Sequence, residues 1–259
     1  FFIVGLPGLL VALLMLTVKE PARAKTASKD SYYGLTYIFQ FIAKEPATFL
    51  LHFIGYSLLG LIFNTFLAWA PTFFIRAYSL SAGEVGPLLG ILILIFGGSG
   101  MVVGGMHTDR LRRAGNISAP FTSSRLAGIC LTPICLLMPL TESINATVAL
   151  FALLFFFSAF PFGAAASAIQ VATPPHLRAQ MSALYLFCLN LIGIGFGPTL
   201  VALITDYGFE DISKVGWSMA IVGGIAAPLS AVILHYGIPA LAQTTQRREQ
   251  EERLKNDQS

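Results

Sequence analysis

Charged residues are scarce in this sequence. Asp, Glu, Lys and Arg make up only 11% of its 259 residues, whereas 55% are apolar and mean hydropathy is +0.73. Soluble domains contain about 25% charged residues because they need a solvated surface, so this composition excludes an ordinary soluble protein. The apolar residues also form runs long enough to cross a hydrocarbon layer of about 30 Å as helices. The sequence therefore indicates an all-α, polytopic membrane protein.

Two further scarcities limit the chemistry. The three cysteines, Cys130, Cys135 and Cys188, lie inside apolar runs without metal-ligand spacing, so we expect them to pack and we predict neither a metal nor another cofactor. None of the 13 acidic residues falls in the middle of a run, so no buried carboxylate is available for a proton or sodium relay. His52 and His235 are the remaining coupling candidates, although an interfacial histidine is usually a polar anchor.

The apolar runs define the domain organisation. Residues 1–18 are apolar from the first residue and are interpreted as the end of a truncated span, which predicts that the chain is the C-terminal part of a longer protein. Six complete spans are predicted at residues 49–74, 85–106, 121–140, 146–171, 181–204 and 216–241. Residues 19–48 are expected to be a cytoplasmic linker with an interfacial helix, residues 49–241 a six-helix bundle, and residues 242–259 a cytoplasmic tail.

The basic residues alternate between the connections. Fourteen of the 16 lysines and arginines fall on one side of the predicted membrane, and only Arg76 and Lys214 fall on the other. The positive-inside rule assigns the basic side to the cytoplasm, in a plasma membrane or a bacterial inner membrane. The C-terminus is therefore predicted to be cytoplasmic.

Polar side chains inside the spans are candidates for a substrate cavity. Asn64 and Asn190 lie near the middle of their spans, where each needs a hydrogen-bond partner. Four further residues could line the same cavity: Tyr56, Trp69, Ser158 and Tyr185. For each residue alone, a hydrogen bond between helices is an equally good explanation.

A catalytic alternative rests on Gly97-Gly98-Ser99-Gly100, which matches the Gly-x-Ser-Gly pattern of rhomboid-type intramembrane proteases. Such a serine needs a histidine at the same depth to take its proton. His52 and His235 lie nearer the cytoplasmic ends of their spans, so serine catalysis is disfavoured. The neighbouring Gly100-x-x-x-Gly104 is typical of close helix–helix packing.

The stretch GGMHTDRLRRAG follows the glycine-rich span directly. Gly105, Asp109, Arg110 and Arg113 fit the form Gly-x-x-x-Asp-Arg-x-x-Arg. This resembles the loop signature of the major facilitator superfamily, in the copy between the eighth and ninth helices. The stretches GLPGLLVALLMLTVKEPAR, AWAPTFFIRAYSLSAGEVG and LRAQMSALYLFCLNLIGIGFGPTLVALITD are similar to the spinster-like branch of that family.

The resemblance implies that residues 1–18 belong to the sixth helix, that the six complete spans are helices seven to twelve, and that an N-terminal half is absent. It also implies that Asp109 is a latch that binds the positive N-terminal end of a helix in the other half. The reciprocal target in this chain would be residues 178–181, beginning with Arg178. The alternative is that Asp109 and its arginines only anchor the topology.

The predicted function is secondary active transport by alternating access. The resemblance implies a small organic anion or a lipid-like molecule as the substrate, and the aromatic and aliphatic spans favour the amphipathic, lipid-like one. A proton or sodium is the candidate coupling ion. The expected partners are the lipid bilayer and the absent N-terminal half, and no nucleic acid. A non-transporting membrane scaffold is the other alternative.

Overall fold

A computed structural model of the chain describes residues 34–256 and, before them, Gly8, Leu13 to Met15 and Thr17. The predicted truncated span and residues 19–33 of the predicted linker therefore lie almost wholly outside the described residues. The chain divides into two units, Phe1–Thr36 and Tyr37–Ser259. In the first unit, Gly8 and Leu13 to Met15 are helical.

The second unit is a bundle of long helices, and its described residues form no strand. A short helix, α1 (Leu35–Lys44), starts at the end of the first unit and leads into it. Six helices that are long and apolar enough to cross a membrane follow: α2 (Pro46–Tyr78), α3 (Ala82–Arg113), α4 (Ala119–Leu140), α5 (Ile144–Ala172), α6 (Pro175–Phe209) and α7 (Ile212–Glu251). The all-α, six-span fold predicted from the sequence is thus confirmed.

Each predicted span lies inside one of these helices, and most of the helices extend beyond it at both ends. An apolar run ends where charged residues begin, whereas the backbone hydrogen bonds of the helix continue past the membrane surface. The last helix shows this most clearly, because it continues without a break to Asn256. The predicted tail at residues 242–259 thus begins as a continuation of α7.

The helices of the bundle differ in which neighbours they pack on. α7 packs extensively on α2 and α4, and aromatic rings such as Phe74 and Phe151, with ring centroids 4.9 Å apart, fill the interior. α3 packs mainly on α5, and α6 packs mainly on α2. Both α3 and α6 contain π-helical turns, at Ile93–Gly97 in α3 and at Asn190–Phe196 and Ile204–Phe209 in α6. Such turns widen the backbone locally and are frequent at functional sites.

Basic side chains gather at one end of the bundle. Lys44, Arg178 and Arg248 line one cavity there, and Arg112 lines a neighbouring one. At the opposite end, Arg76 Nη1 donates a hydrogen bond to the Ile212 carbonyl oxygen at 3.0 Å. We call the first end the basic end of the bundle.

The turn before α7 is fixed by a side-chain cap. The backbone N–H of Ser213 donates to the Asp211 carboxylate at 2.8 Å. This hydrogen bonding from Ser213, assisted by the nearby charge of Lys214, holds the pKa of the Asp211 carboxyl below its ordinary value.

Candidate substrate cavity and gating site

Three of the predicted cavity residues, Asn64, Trp69 and Asn190, lie on α2 and α6, which pack on each other. Asn64 Nδ2 donates to the Gly60 carbonyl one turn earlier at 2.8 Å, and Asn190 Nδ2 donates to the Leu186 carbonyl in the same way. Trp69 Nε1 instead crosses to α6 and donates to the Pro198 carbonyl at 2.9 Å. Pro198 lies two residues after a π turn, in the α-helical segment Gly197–Leu203.

Asn64 faces α6 at close range. A Cβ placed on Gly193 would lie 3.4 Å from Asn64 Nδ2, so the amide rests against the glycine of the π turn. Asn64 is half-buried and Asn190 is exposed. Each amide uses one N–H on its own helix, and its oxygen receives no hydrogen bond from the described residues. Both amides can therefore still bind a polar group.

Tyr56 and Tyr185 meet around a histidine deeper in the bundle. The ring of His52 lies 4.6 Å from that of Tyr56 and 4.9 Å from that of Tyr185. The Tyr56 hydroxyl donates to the Pro120 carbonyl at 3.0 Å and accepts from Ser124 Oγ at 3.1 Å. With both hydrogen-bonding roles occupied and the side chain buried, Tyr56 joins α2 to α4.

His52 is 2% exposed, which differs from the interfacial position expected from the sequence. Its Nε2 donates to the Ala165 carbonyl of α5 at 3.0 Å, and its buried Nδ1 has no partner in the described part of the chain. Ser158, the last cavity candidate, is buried and bonds to the Phe155 carbonyl of its own helix at 3.4 Å. Ser158 therefore shares no hydrogen bond with the other cavity candidates in the described residues.

The predicted latch residues lie in the last turns of α3 and not in a loop. Gly105, Asp109, Arg110 and Arg113 precede the end of the helix at Arg113. Two residues after the helix end, Gly115 has a φ of +87°, which glycine adopts readily, and Asn116 N–H closes the end by donating to the Leu111 carbonyl at 3.0 Å. Arginines in a last helical turn also interact favourably with the helix dipole, which explains why the helix continues through them.

Two adjacent rows of α3 face different surroundings. Gly100, Gly104 and Thr108 form the row that faces α5, where both glycines contact backbone atoms of Phe156 and Phe160. The next row holds Met101, Gly105 and Asp109 at i, i+4 spacing.

The second row is open. A Cβ on Gly105 would meet no atom within 4 Å, Met101 is 52% exposed, and Asp109 is exposed. Asp109 has no hydrogen-bond or ion-pair partner among residues 34–256. Arg178, the predicted reciprocal target, is exposed at the start of α6, where its Nε donates to the Thr173 carbonyl at 3.1 Å.

A comparison with known families identifies the superfamily of the chain. The family model described as Major Facilitator Superfamily matches residues 1–198, which is most of the chain. The chain belongs to the major facilitator superfamily. No curated protein is matched by the sequence.

Solved structures show the same fold. A bacterial homolog of the human lysosomal transporter Spinster, in an inward-facing and unoccupied conformation, is similar with a TM-score of 0.57 and 18% identity. The match covers 95% of this chain and 58% of that one. The same description in an inward-facing and occupied conformation gives a TM-score of 0.53 at 18% identity and covers 94% and 56%. The present chain thus spans a little more than half the length of these superfamily structures.

Family membership favours a transporter over the serine hydrolase. In the structure, Ser99 Oγ donates to the Phe96 carbonyl of its own helix at 3.2 Å. His107, the histidine that shares α3 with Ser99, lies eight residues further along and bonds through Nδ1 to Ser123 Oγ at 3.0 Å. Eight residues of α-helix correspond to about 12 Å, so this histidine cannot take the serine proton directly.

Sequence reasoning missed one feature of the basic end. A cavity of about 350 Å³ opens between α1, the α5–α6 connection and the end of α7. Its charged side chains come from three segments of the chain that are more than 60 positions apart. Only the abundance of basic residues on that side signalled it.

Proposed function

We propose that this chain is the C-terminal half of a secondary active transporter, which moves its substrate by alternating access against an N-terminal half. The proposal rests on the membrane-spanning helices and on membership of the superfamily. The observation that supports the two-half arrangement is the open surface of α3 and α6. Only 28% of the most apolar stretch of α3 and 17% of that of α6 are buried, against at least 44% in the other four spans.

These open surfaces are apolar. Leu94 on α3 is 77% exposed, and Phe187 on α6 is 62% exposed. Lipid can cover one such face, but polar groups on both helices break the apolar surface, with Asp109 on α3 and Asn190 on α6. A second protein half that packs on these helices would cover the apolar side chains and give the polar groups partners.

Asp109 is proposed as the latch of this interface. It lies on the open row of α3, at the basic end, without a partner in the described chain. A carboxylate against a helix N-terminus contributes about 0.3–1 kcal/mol when exposed and up to about 2 kcal/mol when partly buried. This energy would favour the state in which the basic end is closed, and the positive-inside rule assigns that end to the cytoplasm.

The proposed substrate is a small organic anion or an amphipathic, lipid-like molecule. Asn64 and Asn190 supply free amide oxygens beside the π turn of α6, and aromatic side chains such as Phe63 and Phe187 supply apolar contact area. The described spans place no cationic side chain near these amides, so an anionic group would be bound by the other half. A proton or sodium is the proposed coupling ion, and the proposed location is the plasma or bacterial inner membrane with the C-terminus cytoplasmic.

The test is Asp109→Asn in a polypeptide that carries this chain behind its N-terminal half. Uptake of a labelled sugar acid and of a fluorescent lysophospholipid is measured in proteoliposomes, and membrane insertion is measured separately. Losing the latch energy should slow transport of whichever probe is carried by roughly 2- to 30-fold, with insertion unchanged.

Glu142→Gln is the matched control, since Glu142 is an exposed acid outside the latch. Uptake that is equal in the Asp109 and Glu142 variants would remove the latch. Uptake of neither probe by the unaltered protein would argue against the proposed substrate classes.

A further inference from the structure

The cavity at the basic end is lined by residues from three separate segments of the chain. We call it the linker cavity, since α1 forms one side of it. Its polar lining residues are Tyr37, Lys44, Thr173, His176, Arg178, Arg248 and Glu251. Phe41, Val171, Pro174 and Pro175 complete the wall. A cavity of about 350 Å³ is large enough for a small ligand or a lipid head group.

The charges on this wall do not cancel. Arg248 is paired with Glu251 at 3.0 Å and stacks over the Phe41 ring at 4.9 Å. Lys44 has no hydrogen-bond or ion-pair partner among residues 34–256. Arg178 uses Nε on the Thr173 carbonyl, which orients the guanidinium and leaves its two terminal NH₂ groups without a described partner. Two cations therefore remain uncompensated around one cavity.

A buried hydroxyl also lacks a partner here. Thr173 is a lining residue of the cavity and is 2% exposed, and its buried Oγ1 makes no hydrogen bond within the described chain. A buried hydroxyl without a partner costs about 1–3 kcal/mol. A ligand oxygen in the cavity would remove that cost, and it would also pair with the guanidinium that the Thr173 carbonyl orients.

The cavity is beside an apolar surface. α1 buries Ile38, Phe41 and Ile42, while Phe39 is 59% exposed. An amphipathic helix of this kind lies in the interfacial plane of a bilayer. Basic pockets between membrane helices on the cytoplasmic side are sites where anionic head groups bind.

We infer that the linker cavity binds a phosphate group, held by the Arg178 guanidinium, the Lys44 ammonium and the Thr173 hydroxyl. The group is either the head group of an anionic phospholipid or a free phosphate. Arginine suits this role because its planar donors match two phosphate oxygens at once. Occupancy would join α1 to the start of α6 and the end of α7, and the inference does not rest on the proposed transport function.

The experiment uses the purified 259-residue chain in a nonionic detergent, where the micelle carries no charge. Native mass spectrometry measures binding of dioleoyl phosphatidylglycerol and of dioleoyl phosphatidylcholine, each with and without millimolar inorganic phosphate. Arg178→Gln and Thr173→Val should each weaken phosphatidylglycerol binding by roughly tenfold, as expected for the loss of one charge-assisted or one buried hydrogen bond.

Arg253→Gln is the matched control, because it removes the same charge from an exposed position on α7 outside the cavity. It should change binding by less than about twofold. Arg178→Lys and Thr173→Ser retain the charge and the hydroxyl, so partial recovery of binding in them shows that the stronger variants lost the site and not the fold.

The outcomes separate the sources. Preference for phosphatidylglycerol that inorganic phosphate does not displace assigns the site to a lipid head group, whereas displacement by phosphate assigns it to a soluble phosphate. Equal binding of the two lipids, or equal losses in the Arg178 and Arg253 variants, overturns the inference. Because no transport is measured, this result stands independently of the proposed function.

Discussion

The closest contact between α3 and α5 can be tested with two adjacent glycines. A Cβ on Gly104 would lie 2.7 Å from the Phe160 carbonyl carbon and 2.8 Å from its Cα. Carbon atoms that are not bonded prefer about 3.5–4.0 Å, and these two belong to a backbone that a side-chain rotation cannot relieve. Gly104→Ala therefore forces the two helices apart, whereas Gly105→Ala points into open space.

The expected magnitudes have opposite signs. Alanine is favoured over glycine in a helix by up to about 1 kcal/mol, which applies at both positions. At Gly104 the inserted methyl group adds an overpacking cost of about 1–3 kcal/mol or more. The net expectation is a loss of roughly 1–2 kcal/mol in the free energy of unfolding for Gly104→Ala and a gain of up to about 1 kcal/mol for Gly105→Ala.

The assay is reversible unfolding of the chain in mixed micelles of increasing SDS fraction, followed by tryptophan fluorescence. Each variant adds one methyl group, and the two positions are neighbours, so each variant is the control for the other. Equal stability of both variants, or destabilisation of Gly105→Ala alone, would falsify the assigned orientation of α3. Slowed transport of the stable Gly105→Ala variant in the two-half protein would further indicate that another surface covers the open row.

Two further predictions use the same unfolding assay. Trp69→Phe removes the donor to the Pro198 carbonyl and should lower the free energy of unfolding by about 1 kcal/mol. Unfolding is then monitored by circular dichroism, because a reporter tryptophan is lost. Trp217→Phe removes an exposed tryptophan and should cost less, and the reverse order would contradict the assignment. Asp211 has a folded pKa below its ordinary value, so it stabilises the fold above the ordinary value of about pH 4, and this stability is lost as the pH falls toward its lower folded pKa. Asp211→Asn should therefore show a smaller loss of stability over that acid range than the unaltered chain, and identical pH profiles would refute the role of the cap.

The helices could be predicted from the sequence because the membrane imposes a simple rule. Each span must be apolar and about 20 residues long, and each of the six complete predicted runs lies inside an observed helix. The ends could not be located, since Asp109 and Arg113 interrupt the hydropathy while the helix continues through them. The family signature placed Gly105, Asp109, Arg110 and Arg113 in a loop, because charges are typical of a loop, whereas they lie in the last turns of α3.

The roles of the polar residues depended on distant partners. Tyr56 is paired with Pro120 and Ser124, which are more than 60 positions away, so its sequence position near mid-span indicated a cavity as readily as a core hydrogen bond. His52 illustrates the same limit, since its partner Ala165 is an alanine whose backbone carbonyl leaves no signal in the sequence. Asn64 and Asn190 bond to their own helices, and a residue with a local partner remains free to bind another group.

The two helices that carry the predicted gating residues share more than exposure. α3 and α6 hold all the described π turns. Each also carries predicted gating residues at the basic end, such as Asp109 at the end of α3 and Arg178 at the start of α6. α2 and α4, by contrast, both pack extensively on α7. Rocking requires one surface that exchanges partners and one body that stays intact, because well-packed cores do not deform continuously. In the proposed transporter, α2, α4 and α7 would form the body, and α3 and α6 would present the surface whose partners change as the basic end opens and closes.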